Sequence, residues 1–197
     1  MNDINAICVY SASSPEVNEC YLKTAKKLGI LFAKHQIELI YGAGKVGLMG
    51  AMADSVLERG GKVTGIIPSF MIEQNWHHTQ LTQLVEVESM HARKQKMAAL
   101  SDGVVALPGG CGTLEELLEI ITWKQLGLYN KPIVIVNTNG FYNPLIEMLD
   151  KAIDEKFMHP DHKKMWSIVE HIAQVIDLLQ KTPIWNSSID KFATVRK

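Results

Sequence analysis

The chain has 197 residues, 47% of them hydrophobic, and a formal net charge of −1 from 20 Lys and Arg against 21 Asp and Glu. Such a length and apolar content suffice for a single α/β domain with a well-buried core. The balanced, scattered charge excludes recognition of nucleic acid or a membrane surface by bulk electrostatics, and the basic run at residues 191–197 reads as a short solvated tail.

Residues 5–11 (NAICVYS) form an apolar run expected to be a buried strand, ending in the small polar turn Ala12-Ser13-Ser14-Pro15. Helical spacing follows over 16–35, with Tyr21, Ala25, Leu28, Leu31 and Phe32 on one face. A second strand is expected at 36–41 and a second helix at 48–59, ending at Gly60-Gly61. Residues 62–68 read as a third strand and 69–82, with Trp76-His77-His78, as a loop or irregular segment. A fourth strand at 83–88 leads to a helix at 90–100 capped by Ser89.

The fifth strand, 103–107, precedes a helix at 115–128, and a strongly β-branched sixth strand spans 132–138. A helix at 144–157, an edge strand at 166–170 and a last helix at 171–181 complete the series. Strands alternate with helices, and most strands are continuously apolar rather than half polar. The expected fold is therefore α/β: a Rossmann-like, doubly wound parallel sheet in three α/β/α layers. No repeat, linker or low-complexity tract divides it, so one domain is expected over 1–197, with its core at about 5–181.

Cys8, Cys20 and Cys111 have no metal-type spacing, and the Met1 end shows neither a leader pattern nor an apolar run of membrane-spanning length. A reduced, cytoplasmic protein is expected. The pairs His77-His78 and His159/His162 lack the partner cluster a zinc site needs and read as loop residues, so no metal is expected.

In sheets of this kind ligands bind beyond the carboxyl ends of the strands. Four stretches stand there: 11–14, 42–47, 88–94 and 108–116. In Pro108-Gly109-Gly110-Cys111-Gly112-Thr113-Leu114-Glu115-Glu116 a strand passes through a glycine-rich turn into a helix. That arrangement aims unpaired N–H groups and a helix dipole at one spot, which suits a phosphate. Two readings of Thr113-x-x-Glu116 stand together: a capping box closing the helix start, or a carboxylate presented to a ligand. Cys111 sits where a helix N-terminus would activate a thiol, but no His is placed as its base.

Gly42-Ala43-Gly44-Lys45-Val46-Gly47 matches G-x-G-x-x-G. It follows the second strand rather than the first, and the third strand ends in Ile67-Pro68-Ser69 without the acidic ribose ligand of a dinucleotide site. Leu48-Met49 rule out a Walker A loop. Gly42 and Gly44 fit better as a half-site at which a nucleotide approaches the backbone. Arg93 and Lys94 fall in the first turns of a helix, where the dipole disfavours cations, so a nearby anion (Glu116 or a substrate phosphate) is expected.

With Met90-His91-Ala92-Arg93-Lys94 ahead of the P-G-G-x-G-T-x-x-E stretch, and Tyr41-Gly42-Ala43-Gly44 ahead of both, the chain resembles the LOG (Lonely Guy) family. Its members are cytokinin riboside 5′-monophosphate phosphoribohydrolases, often mislabelled lysine decarboxylases. The resemblance runs from about Ile7 to the last helix. It departs at Ala43, commonly glycine in the family, and at Cys111, commonly aromatic in plant members. It implies hydrolysis of the N-glycosidic bond of a purine nucleoside 5′-monophosphate to free base and ribose 5-phosphate, without a metal or redox cofactor. It also implies that Arg93 and Glu116 are the catalytic pair and that the turn of Gly109, Gly110, Gly112 and Thr113 holds the phosphate. Ser11, Ser13, Met90 and Lys94 are expected to join Gly42 and Gly44 in binding substrate. A homodimer is implied too, with Trp123 and Leu126 as candidate contacts. The alternative is a nucleotide-binding or carrier module, which would need the glycine loops but not Arg93 and Glu116.

Overall fold

The computed structural model describes residues 2–185. Seven parallel strands form one sheet: β1 (Ala6–Tyr10), β2 (Glu38–Tyr41), β3 (Val63–Pro68), β4 (Gln83–Val87), β5 (Gly103–Ala106), β6 (Ile133–Val136) and β7 (Ser167–Val169). Their order across the sheet is β4-β3-β2-β1-β5-β6-β7. The chain builds outward from β1 to β4, then returns to lay β5 against the other side of β1, with Ile7 opposite both Leu39 and Gly103. The switch point thus lies between β1 and β5, and the loops leaving these two strands flank it.

Because side chains alternate along a strand, the continuous apolar runs split into two buried faces. Ile7, Val9, Leu39, Tyr41, Val105, Val134 and Val136 pack with α1 (Glu19–Lys34), α2 (Gly47–Leu57) and α7 (Val175–Lys181). Cys8, Tyr10, Ile40, Ile66, Val104, Ala106, Ile133 and Ile135 pack with α4 (Met90–Leu100), α5 (Cys111–Gln125) and α6 (Asn143–Asp154). This is the doubly wound α/β/α sheet that the sequence pattern predicts.

Three elements differ from expectation. Residues 69–82 are not simply a loop: α3 (Ser69–Glu73) forms directly after β3, and a bridge joins His77 to Gly44. The helix expected at 115–128 starts four residues earlier, at Cys111, and ends at Gln125. The helix expected at 171–181 opens as a 3-10 turn, Ile172–Gln174, before α7. The basic run at 191–197 lies outside the described residues. Among them, no helix is long and apolar enough to cross a membrane.

Candidate active site

A cavity of about 670 Å3 opens over the carboxyl ends of β5, β1, β2 and β3. Its walls come from all four stretches singled out in the sequence: Ser11 to Ser14, Gly42 with Gly44 to Val46, Met90 with Arg93, and Gly110 to Thr113 with Glu115 and Glu116.

The first turn of α5 forms one end. Its N-cap is Gly110, and no side chain caps it. Among the described residues no acceptor is bonded to the N–H groups of Cys111, Gly112 or Thr113. The capping-box reading of Thr113 and Glu116 is therefore incorrect. Thr113 lies inside the helix, buried, with its hydroxyl against Gly109, where a Cβ would come within 2.1 Å of Oγ1. Gly109 accordingly serves the turn's packing and does not line the cavity. A Cβ on Gly110 or Gly112 would meet nothing within 4 Å, so neither glycine is required by the protein's own packing. Their missing side chains leave open space directly before three unsatisfied donors and the positive end of a 15-residue helix. Beside them, Ser11 is 2% exposed and its Oγ has no hydrogen-bond partner, an orphan that a ligand oxygen would satisfy.

The other glycine loop is built differently. The N–H groups of Leu48 and Met49, at the start of α2, donate to Ala12 O at 3.0 and 3.2 Å, so two donors of this helix end are already taken by the chain itself. Gly47 takes φ +64°, which favours glycine, and presses against the 12–14 backbone so closely that no side chain fits. Ala43 adopts φ +61° and is fully buried, its Cβ facing Gly65, so this departure from the LOG pattern does not reach the cavity.

Arg93 reaches in from α4 and is 5% exposed. Its Nε donates to Ile66 O at 3.1 Å and its Nη2 to Gly42 O at 2.8 Å, which pins the guanidinium across the ends of β3 and β2. Its Nη1 lies 3.7 Å from the Met90 sulfur. Glu116, in the second turn of α5, is 6% exposed. Burial pushes its carboxyl up to about 7, with Arg93 pulling the other way and Glu115 adding to the rise. Burial pulls Arg93 down, and the field of Glu116 opposes that. The two form no ion pair, so Arg93 does not clamp the Glu116 carboxylate as a partner would. It faces the same cavity as a fixed positive charge held by main-chain carbonyls.

Lys94 does not line the cavity. Its buried ammonium bridges α4 to α5 through Glu115 and, at 3.0 Å, Glu119. The remaining expected residues are brought together: Ser11, Ser13, Gly42, Gly44, Met90, Arg93, Gly110, Gly112, Thr113 and Glu116 all line the one cavity, along with the exposed Cys111.

Sequence reasoning missed the wall opposite α5. Ile67, Met71 and Trp76 line it, and Trp76 is 53% exposed. The segment is stapled in place: Lys45 Nζ donates to Asn75 O, His78 N donates to Ala43 O at 2.8 Å, and His78 Nε2 meets Asp54 at 2.9 Å. The one available signal was an indole in an otherwise polar stretch. His78 is thereby structural. So is the second His pair, which closes a short 3-10 turn through the His159 N–H and His162 Nδ1. Among the described residues no cluster of three His, Cys, Asp or Glu is placed to hold a metal.

A family model described as "Possible lysine decarboxylase" matches residues 49–179. A cytokinin riboside 5′-monophosphate phosphoribohydrolase of Arabidopsis thaliana is 38% identical over 174 residues, covering 88% of this chain and 76% of that protein. Another of the same name and organism is 43% identical over 154 residues, covering 78% and 71%. An Oryza sativa relative described as a probable enzyme of that name is 38% identical over 185 residues, covering 94% and 73%. Among solved structures, the molybdenum cofactor carrier protein of Chlamydomonas reinhardtii superposes with a TM-score of 0.69 at 21% identity, covering 91% of this chain and 98% of that one. A molybdenum cofactor binding protein from Rippkaea orientalis does so with a TM-score of 0.68 at 22%, covering 89% and 95%. At such identities the structural likeness speaks for the fold alone.

Proposed function

The chain belongs to the family of the cytokinin riboside 5′-monophosphate phosphoribohydrolases, and from that premise we propose that it hydrolyses the N-glycosidic bond of a purine nucleoside 5′-monophosphate to free base and ribose 5-phosphate. The observation that carries this reading is the buried Glu116 carboxyl facing the same cavity as the uncapped, glycine-lined first turn of α5.

The phosphate binds the N–H groups of Cys111, Gly112 and Thr113, with Ser11 Oγ as a further donor. Held there, it supplies remote binding energy that positions the ribose. Cleavage builds positive charge on the sugar, and the Glu116 carboxylate stabilises that charge in a water-poor site. The same carboxylate takes a proton from the attacking water. The hydroxide adds to the anomeric carbon, and the proton passes on to the departing base. Arg93 contributes a fixed positive field that favours the anionic substrate and draws Glu116 toward its ionised form.

Hydrolysis of this kind asks for no cofactor, and the partner is a small molecule rather than nucleic acid or membrane. The proposal includes a cytoplasmic setting, in keeping with three free cysteines, and a homodimer. Of the two expected contacts, Leu126 is 46% exposed at the end of α5 and available to a second copy, whereas Trp123 packs on the core. A carrier of the same fold would have no use for a buried carboxyl with a raised pKa beside a pinned arginine.

The test is incubation of metal-free protein with AMP and with isopentenyladenosine 5′-monophosphate, alongside the phosphate-free nucleosides, followed by chromatography for released base. Release from the monophosphates alone is the expected result. Nucleotide binding without release would leave a carrier.

A further inference from the structure

From the shape of the cavity, and resting on the phosphoribohydrolase reading above, we infer that Trp76 selects the leaving base: its indole is the receiving surface for an apolar substituent on the adenine ring. The cavity runs from the first turn of α5, beside β5, to the wall above β3. Those strands are three spacings apart, roughly 14 Å at ~4.8 Å each, which matches the length of an extended nucleoside monophosphate. With the phosphate at α5 and the sugar at Glu116, the base points to the β3 end. That part of the lining is rich in apolar side chains: Met49, Ile67, Met71 and Met90 line the cavity together with Trp76.

The exposure of Trp76 is not that of a loose loop residue. Its backbone N–H donates to Met71 O at 3.2 Å, its carbonyl accepts from Lys45 N at 3.4 Å, and the neighbouring Asn75 carbonyl accepts from Lys45 Nζ. The flanking His77 bridges to Gly44, and His78 is tied to Asp54. A half-exposed indole on a backbone fixed at both sides is a preorganised apolar platform, which binds without an ordering cost. Plain adenine has a polar amino group at the position that points outward. An N6-alkylated adenine carries a hydrocarbon there and gains the contact.

The test measures affinity and turnover for AMP and isopentenyladenosine 5′-monophosphate in parallel. Affinities are read by calorimetry in a Glu116→Gln background, so that they do not depend on hydrolysis. The unaltered Trp76 protein should prefer the prenylated nucleotide, and Trp76→Ala should cut that preference about tenfold, the scale on which an apolar pocket discriminates hydrocarbon. Trp76→Phe should restore most of it, which a defect in folding would not allow. Equal affinity of the two nucleotides, or a preference untouched by Trp76→Ala, overturns the inference. Failure of the wild-type protein to cleave either nucleotide overturns the proposed hydrolysis and leaves the affinity ratio to decide this one.

Discussion

The Arg93 guanidinium occupies the place where any residue other than glycine at position 42 would put its side chain. A Cβ there would lie 1.8 Å from Nη2, and the same Nη2 donates to the Gly42 carbonyl at 2.8 Å. Glycine 42 is thus the partner of an arginine from a distant helix, and its match to a dinucleotide fingerprint is incidental. Gly42→Ala is expected to displace Arg93, leave buried donors unpaired and destabilise the fold by about 1–3 kcal/mol. Activity should fall at least as far as in Arg93→Lys, which keeps the charge but not the planar fork. Steady-state kinetics of the two variants, with thermal melts, check this; near-wild-type turnover in Gly42→Ala would sink the assigned role of Arg93.

The three glycines of the α5 turn separate into two kinds, and mutation should resolve them. Gly109→Ala collides with the buried Thr113 and should lower the melting temperature. Gly112→Ala meets nothing and sits in a helix, where alanine is favoured by about 1 kcal/mol, so the melting temperature should rise. Its methyl group nonetheless fills the proposed phosphate cradle, so KM for a nucleoside monophosphate should increase tenfold or more. A stabilised protein with unchanged KM would place the phosphate elsewhere.

The sheet was legible because strands buried on both faces must be apolar throughout, and the helices between them carry a 3.6-residue period. Ser89 was legible as a cap for the ordinary reason: its hydroxyl accepts from Ala92 N at 3.1 Å. Of the two readings of Thr113-x-x-Glu116, the capping box fails, and spacing could not exclude it because a cap and a buried threonine one turn into a helix share the same T-x-x-E pattern. The true N-cap, Gly110, has no side chain to announce itself. The wall at 69–78 escaped because α3 is only five residues long and its segment is fixed by tertiary bonds to Lys45, Ala43 and Asp54, which no local pattern records. For Lys94, the helix-dipole argument rightly called for a neighbouring anion, but that anion proved to be a pair of carboxylates on α5.

That pair defines a positioning role. Lys94 adjoins Arg93 on α4, Glu115 adjoins Glu116 on α5, and the ion pair between them fixes one helix against the other. Lys94→Met keeps the buried stem but leaves Glu115 and Glu119, four residues apart on one helix, to repel each other. Since both carboxylates retain some solvent, the expected cost is about 1–3 kcal/mol, less than for a fully buried pair. The rate should suffer more than binding, with kcat down about tenfold and KM changed little, because the register of Arg93 against Glu116 shifts while the α5 turn stays intact. Lys23→Met, which breaks an exposed pair with Glu19 on α1, is the control and should cost under about 0.5 kcal/mol.

Glu116 links the chemistry to stability through pH. Its carboxyl is pushed up to about 7 by burial, whereas an unfolded glutamate titrates near about 4.3. A raised carboxyl favours the folded state when protonated. Its stabilising contribution is therefore complete below about pH 4, falls as the pH rises toward 7, and is lost above that, a change of ~3 kcal/mol from this group. Glu116→Gln removes the dependence. The variant should match the wild type at pH 4 and melt at a clearly higher temperature at pH 8, while losing turnover. Activity should follow the opposite course: kcat/KM of the wild type should climb with pH and level off above about 7, since the ionised carboxylate is the working form. The substrate phosphate ionises a unit lower, near about 6, so the two limbs are separable. A kcat/KM that instead falls above pH 7 would assign Glu116 as a proton donor to the base, and a Glu116→Gln variant no more stable than wild type at pH 8 would remove the buried, raised carboxyl from the mechanism.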